Sequence, residues 1–315
     1  MKRSFSKHGG KLDEAVLQYG GRKSDWVDLS TGINPKPYPF EKVDQIVWER
    51  LPDDNDFEDL YKVAHNFWNA PKSSIVLGAF GVSSLIALIP FLNPLSTVSI
   101  QQPTYSEYKL SFERVGFKVS KAGGEINVVV NPNNPDGKIQ NVNEVLENHK
   151  RLTIIDESFC DLYPENSLIN LANRPGFIIL KSFGKFWGLA GLRLGFAIGR
   201  PETVNPIKDA LGPWQISGPA LSIGYQALQD IKWAEKTRVN LYESAIRLDK
   251  IMNGYKLVGG TNLYRLYFTR DAKNLFQRLA SNKILIRNFD YNQNWVRIGI
   301  PKNEKDWEIL EKALK

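Results

Sequence analysis

Six apolar runs of strand length punctuate the first two thirds of the chain, at residues 75–78, 97–101, 126–130, 152–156, 177–182 and 194–198. Between them, apolar residues recur at helical spacing over 82–91, 105–115 and 142–149. Such alternation predicts parallel strands buried beneath helices on both faces of one sheet. The rhythm changes after Pro206. Pro219 opens a helical pattern reaching about residue 253, and strand-like runs follow at 263–269, 284–287 and 295–298, the pattern of a smaller α+β domain. Pro35, Pro37 and Pro39 rule out a regular helix just before Glu41, so the expectation there is an extended arm across the surface. The division expected is an N-terminal arm over 1–45, a large domain over 46–205 and a small C-terminal domain over 206–315. No internal repeat or low-complexity tract interrupts it.

Composition narrows the class. The chain has 315 residues, 42% hydrophobic and 24% charged, which suits a globular protein too long for one small core. The net charge of +7 is scattered rather than gathered on one helix. The richest run, Lys2, Arg3 and Lys7, lacks the density of a nucleic-acid arm, so no nucleic-acid partner is expected. Cys160 is the single cysteine, which excludes an intrachain disulfide and a cysteine-based structural zinc site. A reducing cytoplasm is the expected location, with no metal. No segment approaches the roughly twenty apolar residues that cross a bilayer, and no signal peptide is read at the start.

In an open α/β sheet, ligands gather at the carboxyl ends of strands, so residues just past each apolar run carry the chemistry. Residues 126–130 are followed by Asn131-Pro132-Asn133-Asn134-Pro135-Asp136-Gly137, a turn whose prolines and glycine fix the backbone and aim an amide. The next run ends on an acid, Asp156. The run 177–182 leads into Ser182-Phe183-Gly184-Lys185 and, eight residues after the lysine, Arg193. Gly81-Val82-Ser83 opens a helix after the first strand, where backbone amides can receive a phosphate. Each residue alone has a plainer use: Asp156 as a helix cap, Lys185 as a solvated lysine, Arg193 as a partner for some carboxylate, Gly81-Val82-Ser83 as an ordinary helix start, Tyr105 as core.

Together, in this order and spacing, the residues resemble the fold type I pyridoxal-phosphate enzymes of the aspartate-aminotransferase fold, and the match runs over nearly the whole chain. The resemblance implies that Lys185 holds the cofactor as a Schiff base and that Asp156 sits against the pyridine nitrogen and keeps it protonated. It implies also that Asn134 donates to the phenolic oxygen and Tyr105 stacks on the ring. Ser182 and Arg193, with the amides of Gly81, Val82 and Ser83, would hold the phosphate.

Within that class the chain resembles most the threonine-phosphate decarboxylases of cobalamin biosynthesis, relatives of the histidinol-phosphate aminotransferases. The motifs are His8-Gly9-Gly10, Asp28-Leu29-Ser30-Thr31-Gly32-Ile33-Asn34-Pro35, Leu211 to Pro219, and Ile286-Arg287-Asn288-Phe289 leading to Arg297. The implied reaction removes carbon dioxide from L-threonine O-3-phosphate and yields aminopropanol phosphate. The alternative is an aminotransferase acting on histidinol phosphate or another amino acid. By the same resemblance Arg297 contacts a substrate anion, carboxylate or phosphate, and a homodimer is expected. A phosphorylated amino acid would suit a second anion pocket lined by His8, the amides of Gly9, Gly10 and Gly32 and the Thr31 hydroxyl; the plainer use of this arm is packing over the large domain. Two positions depart from the general family: Phe159 stands where a tyrosine donates to the cofactor, and Leu51 stands where a tyrosine reaches the neighbouring subunit.

Overall fold

The computed structural model describes residues 8–315, so the basic run at Lys2, Arg3 and Lys7 lies outside the described residues. Among the described residues thirteen strands follow in chain order. They are β1 Val27–Asp28, β2 Ile75–Ala79, β3 Thr97–Ile100, β4 Lys118–Ser120, β5 Ile126–Val130, β6 Leu152–Asp156, β7 Phe177–Ser182, β8 Gly195–Gly199, β9 Lys256–Thr261, β10 Tyr264–Phe268, β11 Ile284–Leu285, β12 Arg287–Phe289 and β13 Asn292–Gly299. They fall in two compact units, Pro37–Glu235 and the remainder, and the later division lies inside the helix Ile231–Ile251.

The Pro37–Glu235 unit is built on a seven-stranded sheet in the order β2-β8-β7-β6-β5-β3-β4. Strands β6 and β7 are buried along almost their whole length, as their continuous apolar sequences require. The expectation of parallel strands holds except at β8, which runs antiparallel to both β7 and β2. The reversal has a consequence for the site: the residue preceding β8 comes to the same sheet edge as the residues following β2, β5, β6 and β7. One face carries a core of Leu85, Ile86, Tyr108, Phe112, Val128, Ile154 and Leu180. The expected helix over 82–91 is α-helical only over Val82–Leu88, because Pro90 turns the rest into a tighter 3-10 segment.

The second unit carries an antiparallel sheet in the order β12-β13-β10-β9, with a separate parallel pair, β1 and β11. The extended arm expected at the N-terminus is in part regular: helix Leu12–Tyr19 precedes β1, whose Val27 pairs with Ile284. Trp26, Leu29, Leu248, Phe276, Ile298 and Trp307 share its core. The single helix expected from Pro219 is two, Gly218–Gln229 and Ile231–Ile251, broken at Asp230, whose side chain accepts from the Trp233 amide.

Candidate active site

A cavity of about 120 Å³ opens at the carboxyl edge of the seven-stranded sheet. Gly81, Val82, Ser83, Tyr105, Asn134, Asp156, Ser182, Lys185 and Arg193 all line it, together with Ser158, Phe159, Gly184, Ala190 and Leu194. Residues far apart in sequence converge because each follows or precedes a strand ending at that edge.

The loop bearing Lys185 shows how sequence fixes the site locally. Phe183, Phe186 and Trp187 are fully buried, and Trp187 stacks on Phe183 at 5.1 Å and on Trp233 at 5.3 Å between ring centroids. This aromatic anchor sinks one set of side chains and leaves Ser182 and Lys185 on the cavity side. The Ser182 hydroxyl accepts from the Gly184 amide at 3.2 Å, and Gly188 turns the chain back with its amide on the Lys185 carbonyl at 3.1 Å. Lys185 Nζ stands 5.5 Å from the Phe159 ring centre.

Arg193 takes a left-handed backbone conformation, φ 58°, and anchors one guanidinium nitrogen on the Ala190 carbonyl at 3.0 Å. Its guanidinium packs against Gly81, where a Cβ would meet Nη2 at 2.6 Å. Gly81 also has φ 75°, so both space and backbone call for glycine there. Gly195 is equally bare, since a Cβ on it would strike the Val82 amide nitrogen at 2.5 Å. A cationic fork, a hydroxyl and a helix start are thereby drawn close, a donor set suited to a phosphate.

Asp156 is buried, and burial pushes its carboxyl above the ordinary carboxylate range, opposed by hydrogen bonds from Ser158 and Tyr108 and by the charge of Lys185. The Ser158 amide reaches Oδ1 at 2.9 Å and the Tyr108 hydroxyl reaches Oδ2 at 2.9 Å. A buried acid of this kind gains most from a cationic partner, and a protonated pyridine nitrogen supplies one. Asn134 follows Asn133, whose amide nitrogen is tied to the Pro103 carbonyl at 3.0 Å and to Asp136 at 2.8 Å.

The remaining expected residues lie in the other unit. A Cβ on Gly9 would meet the Ser30 carbonyl at 2.4 Å, Gly10 donates its amide to the Ser30 hydroxyl at 2.8 Å, and Gly32 has φ 82°. Buried Arg297 donates to the carbonyls of Ser30 at 2.8 Å and Thr31 at 3.3 Å. His8 stands at the start of the same segment.

Sequence reasoning assigned no role to three residues that the structure draws attention to. Tyr108 reads as core by its helical position, and only its contact with Asp156 distinguishes it. Ser158 is signalled by nothing but its place two residues after the acid. Arg287 pairs across the strands with Arg297, and burial, then the neighbouring guanidinium, lowers its pKa.

The doubly crossed sheet and this donor set define a pyridoxal-phosphate enzyme of the aminotransferase fold, and the cavity residues fit the cofactor: a lysine, a buried acid for the ring nitrogen and a cationic pocket for phosphate. The chain belongs to the aminotransferase class I and II family, whose sequence profile matches residues 120–314. It is 38% identical to a threonine-phosphate decarboxylase of Sinorhizobium sp, over 98% of this chain and 97% of the relative. It is 34% identical to a threonine-phosphate decarboxylase of Pseudomonas aeruginosa, again over 98% and 97%. Among solved structures, a histidinol-phosphate aminotransferase of Sinorhizobium meliloti in complex with pyridoxal-5'-phosphate shares the fold, with TM-score 0.81 and 16% identity over 100% of this chain and 98% of that one.

Proposed function

We propose that the protein uses pyridoxal phosphate to decarboxylate L-threonine O-3-phosphate, giving aminopropanol phosphate for cobalamin biosynthesis. The similarity to two threonine-phosphate decarboxylases along nearly the whole chain carries this reading.

Bound pyridoxal phosphate supplies an electron-withdrawing ring that accepts the electron pair left on the substrate Cα. Everything else falls to the chain's own side chains. Lys185 Nζ would hold the cofactor covalently and would be the amine that returns a proton to the substrate Cα. Asp156 would hold the charge of the ring nitrogen, Asn134 would donate to the phenolic oxygen, and Tyr105 would pack on the ring. Arg193, Ser182, the amides of Val82 and Ser83 and the bare backbone of Gly81 would hold the cofactor phosphate. Decarboxylation needs the chain's own side chains to orient the substrate so that the bond from Cα to the carboxylate is the one broken. Arg287 and Arg297 offer two guanidinium groups on adjacent strands, which suits a substrate bearing both phosphate and carboxylate. Gly9, Thr31, Gly32 and His8 complete the anion-binding set.

A homodimer fits the exposed apolar side chains of the large unit, among them Trp48, Leu51, Phe80 and Trp214. No helix among the described residues is long and apolar enough to cross a membrane. The single cysteine, Cys160, is a buried free thiol, which suits a reducing cytoplasm. The test is a product assay on the holoenzyme with threonine phosphate. Stoichiometric carbon dioxide and a primary amine without any keto acid are expected. An oxo product that depends on an added keto-acid acceptor overturns the decarboxylase reading in favour of an aminotransferase.

A further inference from the structure

Asp156 receives a donor on each oxygen, and one of them comes from a residue outside the cavity. Oδ1 faces the Ser158 amide, in its own turn, whereas Oδ2 faces the hydroxyl of Tyr108, forty-eight residues earlier in the chain. Tyr108 is 1% exposed and sits in helix Ser106–Arg114, two residues past the start of that helix. Tyr105, which lines the cavity, is the N-cap residue of the same helix, and the two rings meet edge to face at 6.4 Å. One rigid helix start therefore delivers an aromatic ring to the cavity and a hydroxyl to the back of the buried acid.

We infer that Tyr108 is a positioning residue for Asp156: its hydroxyl fixes the plane of the carboxylate and keeps it ionised, so that an acceptor is presented to the ring nitrogen of pyridoxal phosphate. The physical need is clear from the surroundings. Burial alone favours the neutral acid, and a neutral acid that rotates freely offers the ring nitrogen a hydroxyl as readily as a lone pair. A phenol donating to Oδ2 stabilises the anion and leaves the rotation about Cβ–Cγ no freedom. Burial and the neighbouring anion push the phenol's own pKa well above its ordinary value, so it remains a donor wherever the enzyme works.

The inference rests on the reading that the ring nitrogen lies against Asp156, and the test separates the two. Apoprotein is titrated with pyridoxal phosphate and with its 1-deaza analogue, in which carbon replaces the ring nitrogen, for the wild type and for Tyr108→Phe. The wild type is expected to prefer the natural cofactor, and Tyr108→Phe to lose about tenfold of that preference while binding the analogue nearly as before, the size of one hydrogen bond to a charged group. A loss shared equally by both ligands marks a merely structural role and overturns the inference, as does an unchanged preference. A wild type with no preference overturns the underlying reading instead. Incorporation of 4-aminophenylalanine at position 108 keeps the size and a weaker donor, so it reports even if Tyr108→Phe does not fold. An intermediate preference supports the inference and a wild-type preference contradicts it.

Discussion

Lys181 and Glu157 face each other with Nζ 2.5 Å from Oε2, in side chains 2% and 0% exposed, one residue before Ser182 and one residue after Asp156. Glu157 also accepts from the Ser167 hydroxyl, the Leu168 amide and the Asn131 side chain, so the ends of β5, β6 and β7 are joined beneath the cavity by one ionic cluster. Asp161 completes it, holding the indole N–H groups of Trp68 at 2.9 Å and Trp187 at 3.0 Å. Glu157 and Asp161 raise the lysine's pKa against the desolvation that lowers it. Replacing Lys181 by methionine strands a buried carboxylate and is expected to cost about 3–5 kcal/mol of apoprotein stability in urea unfolding. The double variant Lys181→Met, Glu157→Gln should recover part of that loss. A single variant as stable as the wild type contradicts the role given to the pair.

Asp156 predicts a pH dependence with a definite sign. An acid whose pKa rises on folding keeps its proton more firmly in the folded state, so its contribution to apoprotein stability falls as pH climbs from the ordinary carboxylate range toward the raised value. The stability difference between wild type and Asp156→Asn, followed by thermal melting, should therefore turn against the wild type as pH rises. Saturation with pyridoxal phosphate should remove the trend. A difference independent of pH argues against an unfavourably buried charge.

Gly81→Ala places a methyl group 2.6 Å from the Arg193 guanidinium and forces a left-handed conformation on alanine. That backbone region, φ 75° with ψ 157°, is one essentially only glycine occupies and alone costs about 1–3 kcal/mol, and displacement of Arg193 weakens the phosphate site. An increase of about tenfold or more in the dissociation constant of pyridoxal phosphate is expected, read by absorbance titration of the apoprotein. Unaltered affinity means that Arg193 does not serve the phosphate.

Removing Arg287 should raise KM for threonine phosphate by about tenfold or more, the size of a lost hydrogen bond to a charged group, with a smaller change in kcat. Steady-state kinetics of Arg287→Ala against the wild type check this. A KM within twofold of the wild type leaves Arg297 as the anion ligand on those strands.

The strand ends were the most legible part of the molecule, because continuous apolar runs closed by Asn134, Asp156 and Lys185 mark buried parallel strands and put their chemistry at one edge. The direction of β8 was not legible: Gly195–Gly199 is as apolar as its neighbours, and only pairing reveals that it runs the other way. The break at Asp230 is a local cap inside a pattern that reads as one helix, its carboxylate accepting from the Trp233 amide, whereas the pairing of Val27 with Ile284 is a tertiary effect on a segment that reads as an extended arm. Lys181, a charge inside an otherwise apolar run, was a signal that went unused. Tyr108 gave none, since a tyrosine on the buried face of a helix looks the same whether its hydroxyl meets water or a carboxylate.

The most direct test of the account is where the cofactor is attached. Borohydride reduction of the holoenzyme, followed by proteolysis and mass spectrometry, should find one pyridoxyl group per chain, on the peptide containing Lys185, and none in Lys185→Ala. A pyridoxyl group on any other lysine, or no label at all on protein saturated with pyridoxal phosphate, contradicts the assignment of this cavity as the active site.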